Sequence, residues 1–189
     1  MPTARGCASG LCKGFKDLVA SAPRSGNTGA PLPLSSRQSV SDMKSKLIHE
    51  SDGQRTYAVV MAAGDEAMSC LERFAREVGL SAASLTAIGA FRSAELAYFD
   101  WDTKSYISIP VDDQAEVASL IGDVAIGPDG KAAIHAHVVL GTRTGAAIAG
   151  HLKRAVVRPT LEVIVTESPA YLRKRHDATS GLALIDPES

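Results

Sequence analysis

Cysteine is scarce in this sequence, and its three copies show no arrangement that points to cross-linking or metal binding. Cys7, Cys12 and Cys70 are an odd number, and their spacing is not that of a zinc finger. We therefore expect neither a disulfide framework nor a structural zinc site built from thiolates. Cys70 falls in an amphipathic segment, where a free thiol behaves as a small apolar group of the core.

Long apolar runs are missing as well. No run approaches the roughly 20 residues that a membrane-spanning helix needs, and the longest, such as Tyr57–Ala63 and Ile134–Leu140, have the length of strands. The N-terminus shows no apolar stretch followed by a small-residue cleavage site. These absences predict a soluble cytoplasmic protein with no membrane partner.

The sequence has no motif for nucleotide chemistry. No P-loop, dinucleotide-binding fingerprint or nucleophile elbow occurs. The segment Gly141–Gly145 reads Gly-Thr-Arg-Thr-Gly, which is too short to cradle a phosphate and lacks the lysine. Nucleotide-dependent catalysis is therefore disfavoured.

Charge is unevenly distributed along the chain. Residues 1–42 carry five basic and two acidic side chains, so the net charge of −1 for the whole chain leaves the remainder at −4. An acidic domain lacks the broad basic footprint with which proteins bind a phosphate backbone. Two basic clusters near the C-terminus, Lys153–Arg158 and Arg173–Arg175, are typical of solvated faces.

The organisation of the chain changes near Met43. Residues 1–42 are rich in Ser, Gly, Pro and Ala without periodicity. They are therefore either a disordered tail or a segment upstream of a true translation start at Met43. Residues 43–189 have the patterning of one compact domain.

Hydrophobic periodicity predicts many strands and one main helix in this domain. The helix runs from Gly64-Asp65 to Val78 and ends at Gly79, and Thr142–Gly150 is a Gly/Thr/Ala-rich connection. The predicted strands are Lys46–Glu50, Arg55–Met61, Leu85–Ile88, Ala94–Asp100, Ser105–Ile109, Glu116–Ala125, Ala132–Leu140, Thr160–Thr166 and Ala183–Ile185. We therefore predict an α+β fold, in which a mostly antiparallel, mixed β-sheet is packed by one main helix.

Three of the five histidines fall between residues 135 and 151. His135 and His137 lie in a strand-like run, and because strand side chains alternate, both project from the same face. His151 follows Gly150, and small residues there allow a returning chain to approach the pair. Three imidazoles suit a divalent ion, zinc above all, and leave one coordination position open. The alternative is that these histidines are core or interface residues that bind no metal.

Four short motifs occur in a fixed order along the domain. They are Thr86–Phe91, Glu116–Gly122, His135–Gly141, and Gly150–Leu152 followed by Thr160–Glu162. In this order they resemble the plants and prokaryotes conserved (PPC) domain in its bacterial stand-alone form, over Met43 to Ile185. The glycine pair that precedes the third histidine in the family is Ala149-Gly150 here.

The resemblance implies an assembly and a set of ligands. The family domain is a compact α/β domain that assembles as a homotrimer. Its fold is similar to that of a superfamily that contains acetolactate decarboxylase, and members of that superfamily hold zinc through a His-x-His strand and a later histidine. By position, those ligands are His135, His137 and His151. DNA is a further candidate partner, because plant members bind it and bacterial relatives carry that label. The plant members bind the DNA minor groove through an AT-hook, a motif with the sequence Arg-Gly-Arg. In this chain, Arg5-Gly6-Cys7 does not match that motif.

Two further residues are candidate catalytic groups. Glu162 interrupts an apolar strand. It is a hydrogen-bond partner of a metal ligand, a general base toward metal-bound water, or an ion-pair residue at a subunit interface. Arg92 follows the Gly89–Phe91 turn, where it either binds a substrate carboxylate or lies on a surface loop.

Three functions agree with these observations. The first is a homotrimeric, metal-containing binding or regulatory module for a small anionic ligand, and the second is a zinc-dependent enzyme acting on a small oxo-acid. The third is DNA binding by the trimer through its basic clusters, which ranks last because the domain is acidic. A shallow, exposed metal site would favour the module, and an enclosed pocket would favour the enzyme.

Overall fold

The computed structural model describes residues 43–188, so the two interpretations of residues 1–42 lie outside the described part of the chain. The described residues form one α-helix and nine strands. These are β1 (Lys44–Ser51), β2 (Gln54–Ala62), α1 (Ala67–Val78), β3 (Ala82–Asp100), β4 (Ser105–Val111), β5 (Ala115–Ile126), β6 (Ala132–Gly141), β7 (Ala147–Glu167), β8 (Arg173–His176) and β9 (Ala183–Asp186).

Helix α1 is the predicted main helix with a later start. It begins at Ala67, because the Glu66 carboxylate caps the first turn and accepts hydrogen bonds from two backbone N–H groups at 3.2 and 2.9 Å. It ends at Val78 as predicted, since Gly79 adopts the left-handed conformation with φ of 72°. No helix within residues 43–188 combines the length and the apolarity that a membrane span requires.

The long strands β3 and β7 form the centre of the sheet. They contain 19 and 21 residues and pair with each other. β3 also pairs with β5, β5 with β6, and β6 with β7, so this part of the sheet closes into a ring. The β1–β2 hairpin extends the sheet from β7, and the β8–β9 hairpin extends it from β5. Every named pair of strands is antiparallel except β5 and β8, which confirms the mostly antiparallel, mixed sheet.

The core consists of alternate strand side chains and the apolar stripe of α1. Its largest fully buried members are Phe74, Phe91, Met61, Leu71, Leu85, Leu96, Leu120, Leu140, Leu152 and Leu161. Phe74 meets Tyr57 of β2 edge-on, with ring centroids 5.2 Å apart. Burying one such ring contributes about 1.5–3 kcal/mol, so this contact holds the helix on the sheet. Cys70 is buried on the same helix, as predicted.

One predicted interruption of β3 is wrong. The strand runs unbroken from Ala82 to Asp100, although the sequence pattern separates it into two segments. Its pairing with β5 and β7 shifts register around Gly89, which marks a β-bulge. A bulge bends a strand without ending it. Gly89 therefore marks a bulge inside β3 and not the turn that the sequence predicted.

The predicted connection Thr142–Gly150 is too long, and one strand escaped prediction. β7 begins at Ala147, because pairing with β6 and β3 overrides the weak strand preference of its small residues. β8 was not predicted, because three of its four residues are lysine or arginine and such a run is typical of a solvated charged segment.

The backbones of β3 and β7 approach each other closely at Gly89. Its φ is 147°, and a Cβ at this position would lie 2.3 Å from the carbonyl oxygen of Thr160. Side chains larger than hydrogen are therefore excluded by backbone, which cannot rotate away as a flexible side chain can.

We expect Gly89→Ala to destabilise the fold by about 1–3 kcal/mol, because the added methyl group forces two paired backbones apart. Gly141→Ala is the matched control. Its Cβ would meet Glu116 at an ordinary 3.9 Å, so its effect should stay within about 0.5 kcal/mol. Urea unfolding followed by circular dichroism measures both variants, and equal midpoints would contradict the packing argument.

Candidate metal centre

Two neighbouring strands, β6 and β7, bring the three predicted histidines together. His135 and His137 lie two residues apart on β6, on the face opposite the fully buried Ala136. β7 returns antiparallel and places His151 directly opposite His137. The side chains therefore meet, although His151 lies within β7 and not directly after the connection Thr142–Gly150 that the sequence predicted.

Gly150 allows a close approach of β3 to β7 beside His151. A Cβ at Gly150 would lie 2.9 Å from the carbonyl oxygen of Ala97 on β3. Ala97 is also the β3 residue that pairs with His151. The absence of a side chain at Gly150 thus lets β3 pack closely against β7 beside the third histidine.

The imidazole nitrogens are close enough to share one ion. One ring nitrogen from each histidine lies within 4.8 Å of the others. The Nε2 atoms of His135 and His137 are 3.2 Å apart. Two nitrogen ligands on a tetrahedral ion, each at about 2.0–2.1 Å, lie about 3.3 Å from one another. This pair is therefore already at ligand spacing.

Asp123 and Lys174 extend the site behind His135. The Nδ1 atom of His135 lies 3.4 Å from Asp123 Oδ2, and the Lys174 ammonium lies 2.7 Å from Asp123 Oδ1. Burial raises the pKa of Asp123, but the hydrogen bonds from His135 and Lys174 outweigh burial and hold that pKa below its usual value. Asp123 is therefore an ionised acceptor, and it leaves His135 Nε2 directed at the other histidines.

The surroundings of His151 keep its ring neutral. Burial, followed by the positive potential of His135, His137 and two lysines, lowers the pKa of His151 to about 4. Its ring lies against Tyr106 of β4, with centroids 4.9 Å apart and an interplanar angle of 32°. The Nζ atom of Lys153 lies 4.5 Å from the centre of the same tyrosine ring.

This donor set fits a divalent metal ion. Burial, and then the charge of His135, lowers the pKa of His137 as well, and a metal binds the neutral form of imidazole. The Nδ1 atom of His151 is buried without a hydrogen-bond partner among residues 43–188. Such an atom is costly unless an ion or solvent satisfies it. Three histidine ligands would leave one position of a tetrahedral ion open.

The two other predicted site residues lie apart from the histidines. Glu162 is exposed on β7, opposite Val60 and Ile88. Along β7, Glu162 lies eleven residues beyond His151, the histidine of that strand. Arg92 is exposed on β3. The roles assigned to Glu162 and Arg92 remain predictions.

Sequence reasoning missed two residues that contact the histidines, Tyr106 and Asp123, and a third, Lys174, that contacts Asp123. Tyr106, Asp123 and Lys174 belong to no recognisable local motif. Lys174 stands in a basic run that is typical of a solvated face, yet its side chain is only 6% exposed. The signal lies in strand pairing, because the register of β5 against β6 puts Asp123 opposite His135.

Comparison with known proteins gives the same fold. Residues 48–169 match the model of the Plants and Prokaryotes Conserved (PCC) domain. A plant- and prokaryote-conserved protein from Pyrococcus horikoshii is 31% identical over 70% of this chain and 91% of its own, with a TM-score of 0.66. A metal-containing protein from Archaeoglobus fulgidus is 34% identical over 69% and 91%, with a TM-score of 0.64.

A third solved structure, from Ralstonia eutropha, is named only provisionally as a DNA-binding protein. It is 27% identical over 69% of this chain and 90% of its own, with a TM-score of 0.64. No curated protein matches the chain at a significant level. The family model spans all three histidines and seven of the nine described strands, in part or in full. The chain belongs to the plants and prokaryotes conserved domain family.

Proposed function

We propose that this protein is a homotrimeric binding or regulatory module that responds to a small anionic ligand through a divalent metal, zinc, held by three histidines. The observation that carries the proposal is the convergence of His135, His137 and His151 on one point with two nitrogens at 3.2 Å. The metal-containing relative from Archaeoglobus fulgidus supports a metal in this fold. A zinc ion bound here would supply a Lewis-acidic position for a ligand oxygen.

The surroundings of the histidines favour an anionic ligand. Lys153 lies two residues after His151 on the same face of β7, and its charge reaches the His151 ring. Tyr106 lies between them and fixes the lysine by a cation–π contact. The Lys153 charge would therefore add positive potential near a ligand oxygen at the open position of the metal.

The exposure of the histidines favours a binding module over the enzyme. His137 is exposed, and the side chain of His135 is 44% exposed. An open coordination position at these residues faces solvent, whereas a catalytic zinc is usually enclosed so that water is controlled. A zinc-dependent enzyme acting on a small oxo-acid is the second candidate, and Glu162 and Arg92 have a role only within it.

DNA binding is the weakest of the three functions on the same structure. Lys174 is buried in an ion pair, and Arg175 pairs with Asp186 at 2.8 Å. The C-terminal basic cluster therefore does not offer three free cations to a phosphate backbone. The provisional name of the Ralstonia protein is the observation that keeps this function under consideration.

An exposed apolar face supports the homotrimer. Ile88, Ile121 and Ile164 are 62%, 59% and 43% exposed on the outside of the ring. Their strands β7, β3 and β5 are neighbours, and Ile121 pairs directly with His137. Glu162 lies on the same face, opposite Ile88, so the surface is largely apolar with one carboxylate. Exposed apolar surface of this kind marks a protein interface.

We expect wild-type protein to bind about one zinc ion per chain, since three imidazoles and one exogenous ligand complete a tetrahedron. His135→Ala and His151→Ala should each abolish stoichiometric binding. His176→Ala, which changes an exposed histidine of β8, should retain it. Elemental analysis by mass spectrometry measures the metal, with circular dichroism as the test of folding. Folded variants that keep their zinc would refute the site.

Acid should destabilise the metal-free protein in part through His151. Its pKa is about 4 in the folded chain and about 6.5 in an unfolded one, so the unfolded chain binds more protons between these values. Stability is therefore highest above about pH 6.5 and falls as the pH drops toward 4.

In the presence of EDTA, His151→Gln should flatten this part of the Tm-against-pH profile. The exposed His49 of β1 provides the control, because His49→Gln should keep the wild-type slope. Identical profiles for the two variants would show that His151 does not contribute the acid-side loss.

The assembly is tested through the apolar face. Wild-type protein should sediment at three times the chain mass of 19.8 kDa, and Ile88→Glu should yield single chains because a carboxylate cannot be buried unpaired. Leu184→Glu, at a position of β9 that is 46% exposed, should leave the trimer intact. A wild-type protein that sediments as a single chain at micromolar concentration would exclude the proposed assembly.

A further inference from the structure

The C-terminal hairpin, β8 and β9, reaches the candidate metal centre through Lys174. Lys174 of β8 extends its ammonium to 2.7 Å from Asp123 Oδ1, and the whole side chain is only 6% exposed. The second carboxylate oxygen of Asp123 lies 3.4 Å from His135 Nδ1. Lysine, aspartate and histidine therefore form one continuous chain of polar contacts that ends at a candidate ligand.

This hairpin follows the residues that the family model matches. The family model ends at residue 169, and β8 and β9 begin after it, at Arg173 and Ala183. The hairpin is nevertheless fixed to the sheet, because the backbone N–H of Ile126 donates to the carbonyl of Leu172 at 2.8 Å. It is closed internally by four β8–β9 residue pairs and by the Arg175–Asp186 ion pair.

We propose that Lys174 is a positioning residue for the metal centre, and that the C-terminal hairpin fixes His135 through Asp123. This inference rests on the proposed metal function. Asp123 accepts a hydrogen bond from His135 Nδ1–H only in the tautomer whose Nε2 lone pair is free for a metal. A carboxylate partner of this kind orients a histidine ligand and increases its basicity.

The contribution of Lys174 is to hold Asp123 in place. Asp123 is half-buried, and its side chain is 27% exposed. Without the ammonium, the carboxylate would lose its strongest partner and turn toward solvent, because an unpaired charge is costly away from water. His135 would then lose the acceptor that selects its tautomer and its ring orientation.

The contact could instead serve only to attach the hairpin to the sheet. A structural role of this kind predicts that Lys174 affects thermal stability alone. A positioning role predicts that metal affinity and the tautomer of His135 change as well. The Arg175–Asp186 pair allows a matched control, since it lies in the same hairpin without contacting Asp123.

The first measurement is titration of the full-length protein with Co²⁺, monitored by its visible absorption. Lys174→Met and Asp123→Asn should each weaken binding about 10–100-fold, as is typical when the partner of a ligand is removed. Arg175→Met should remain within about twofold of wild type. The double variant Asp123→Asn/Lys174→Met should be no weaker than Asp123→Asn, because the lysine acts through the aspartate.

The second measurement needs no metal. Long-range ¹H–¹⁵N NMR of the imidazoles at about pH 8, above the usual histidine pKa of about 6.5, reports the tautomer of His135. Wild-type protein and Arg175→Met should show the Nδ1–H form, and Lys174→Met should show a mixture. If Lys174→Met does not fold, isosteric Asp123→Asn tests the same contacts.

The outcomes separate this inference from the proposed function. Failure of the wild type to bind Co²⁺ would refute the metal function, while the NMR result would still decide the positioning role. Wild-type affinity and an unchanged His135 tautomer in folded Lys174→Met would overturn the positioning role, even if the wild type binds metal tightly.

Discussion

The antiparallel register of β6 and β7 is the constraint on which the candidate site depends. It pairs His137 with His151 and Gly141 with Ala147 around a short turn. Because strand side chains alternate, a slip of one residue would turn His151 toward the interior and leave His135 and His137 without their partner. The turn length and the buried side chains on the inner face of β6 determine this register. The same register therefore positions both the histidines and the core residues.

The ring of strands explains why the other contacts are possible. β5 pairs with β6 and so places Asp123 opposite His135, while β3 pairs with β7 beside His151. β4, which pairs with β3, contributes Tyr106 to the same neighbourhood. Elements that are far apart in sequence thus meet at the histidines, because a closed sheet shortens the path between its strands.

Much of the fold could be predicted from the sequence, and the reasons are local. Alternation of apolar residues identified most strands, and Gly79 marked the end of the helix. The Asp52-Gly53 turn between β1 and β2 was also a local signal. The errors came from glycine and small residues in β3 and β7, where pairing on both sides overrides weak propensity.

The site was predictable only in part for the same reason. His135 and His137 share a face by strand geometry, which needs no knowledge of the partner strand. The supporting residues Asp123 and Lys174 depend on long-range pairing and on the position of the C-terminal hairpin, neither of which leaves a short-range pattern. Lys174 also shows that a run of basic residues can include one that is buried by an ion pair.

The residues of β6 alternate between two faces of the sheet, and the histidines lie on the outer one. Ala136, Val138 and Leu140 fill the interior, and the residues between them meet solvent or ligand. Chemical change at the histidines therefore leaves interior volume untouched. A fold arranged in this way can acquire, exchange or lose a metal among its descendants while it keeps one architecture.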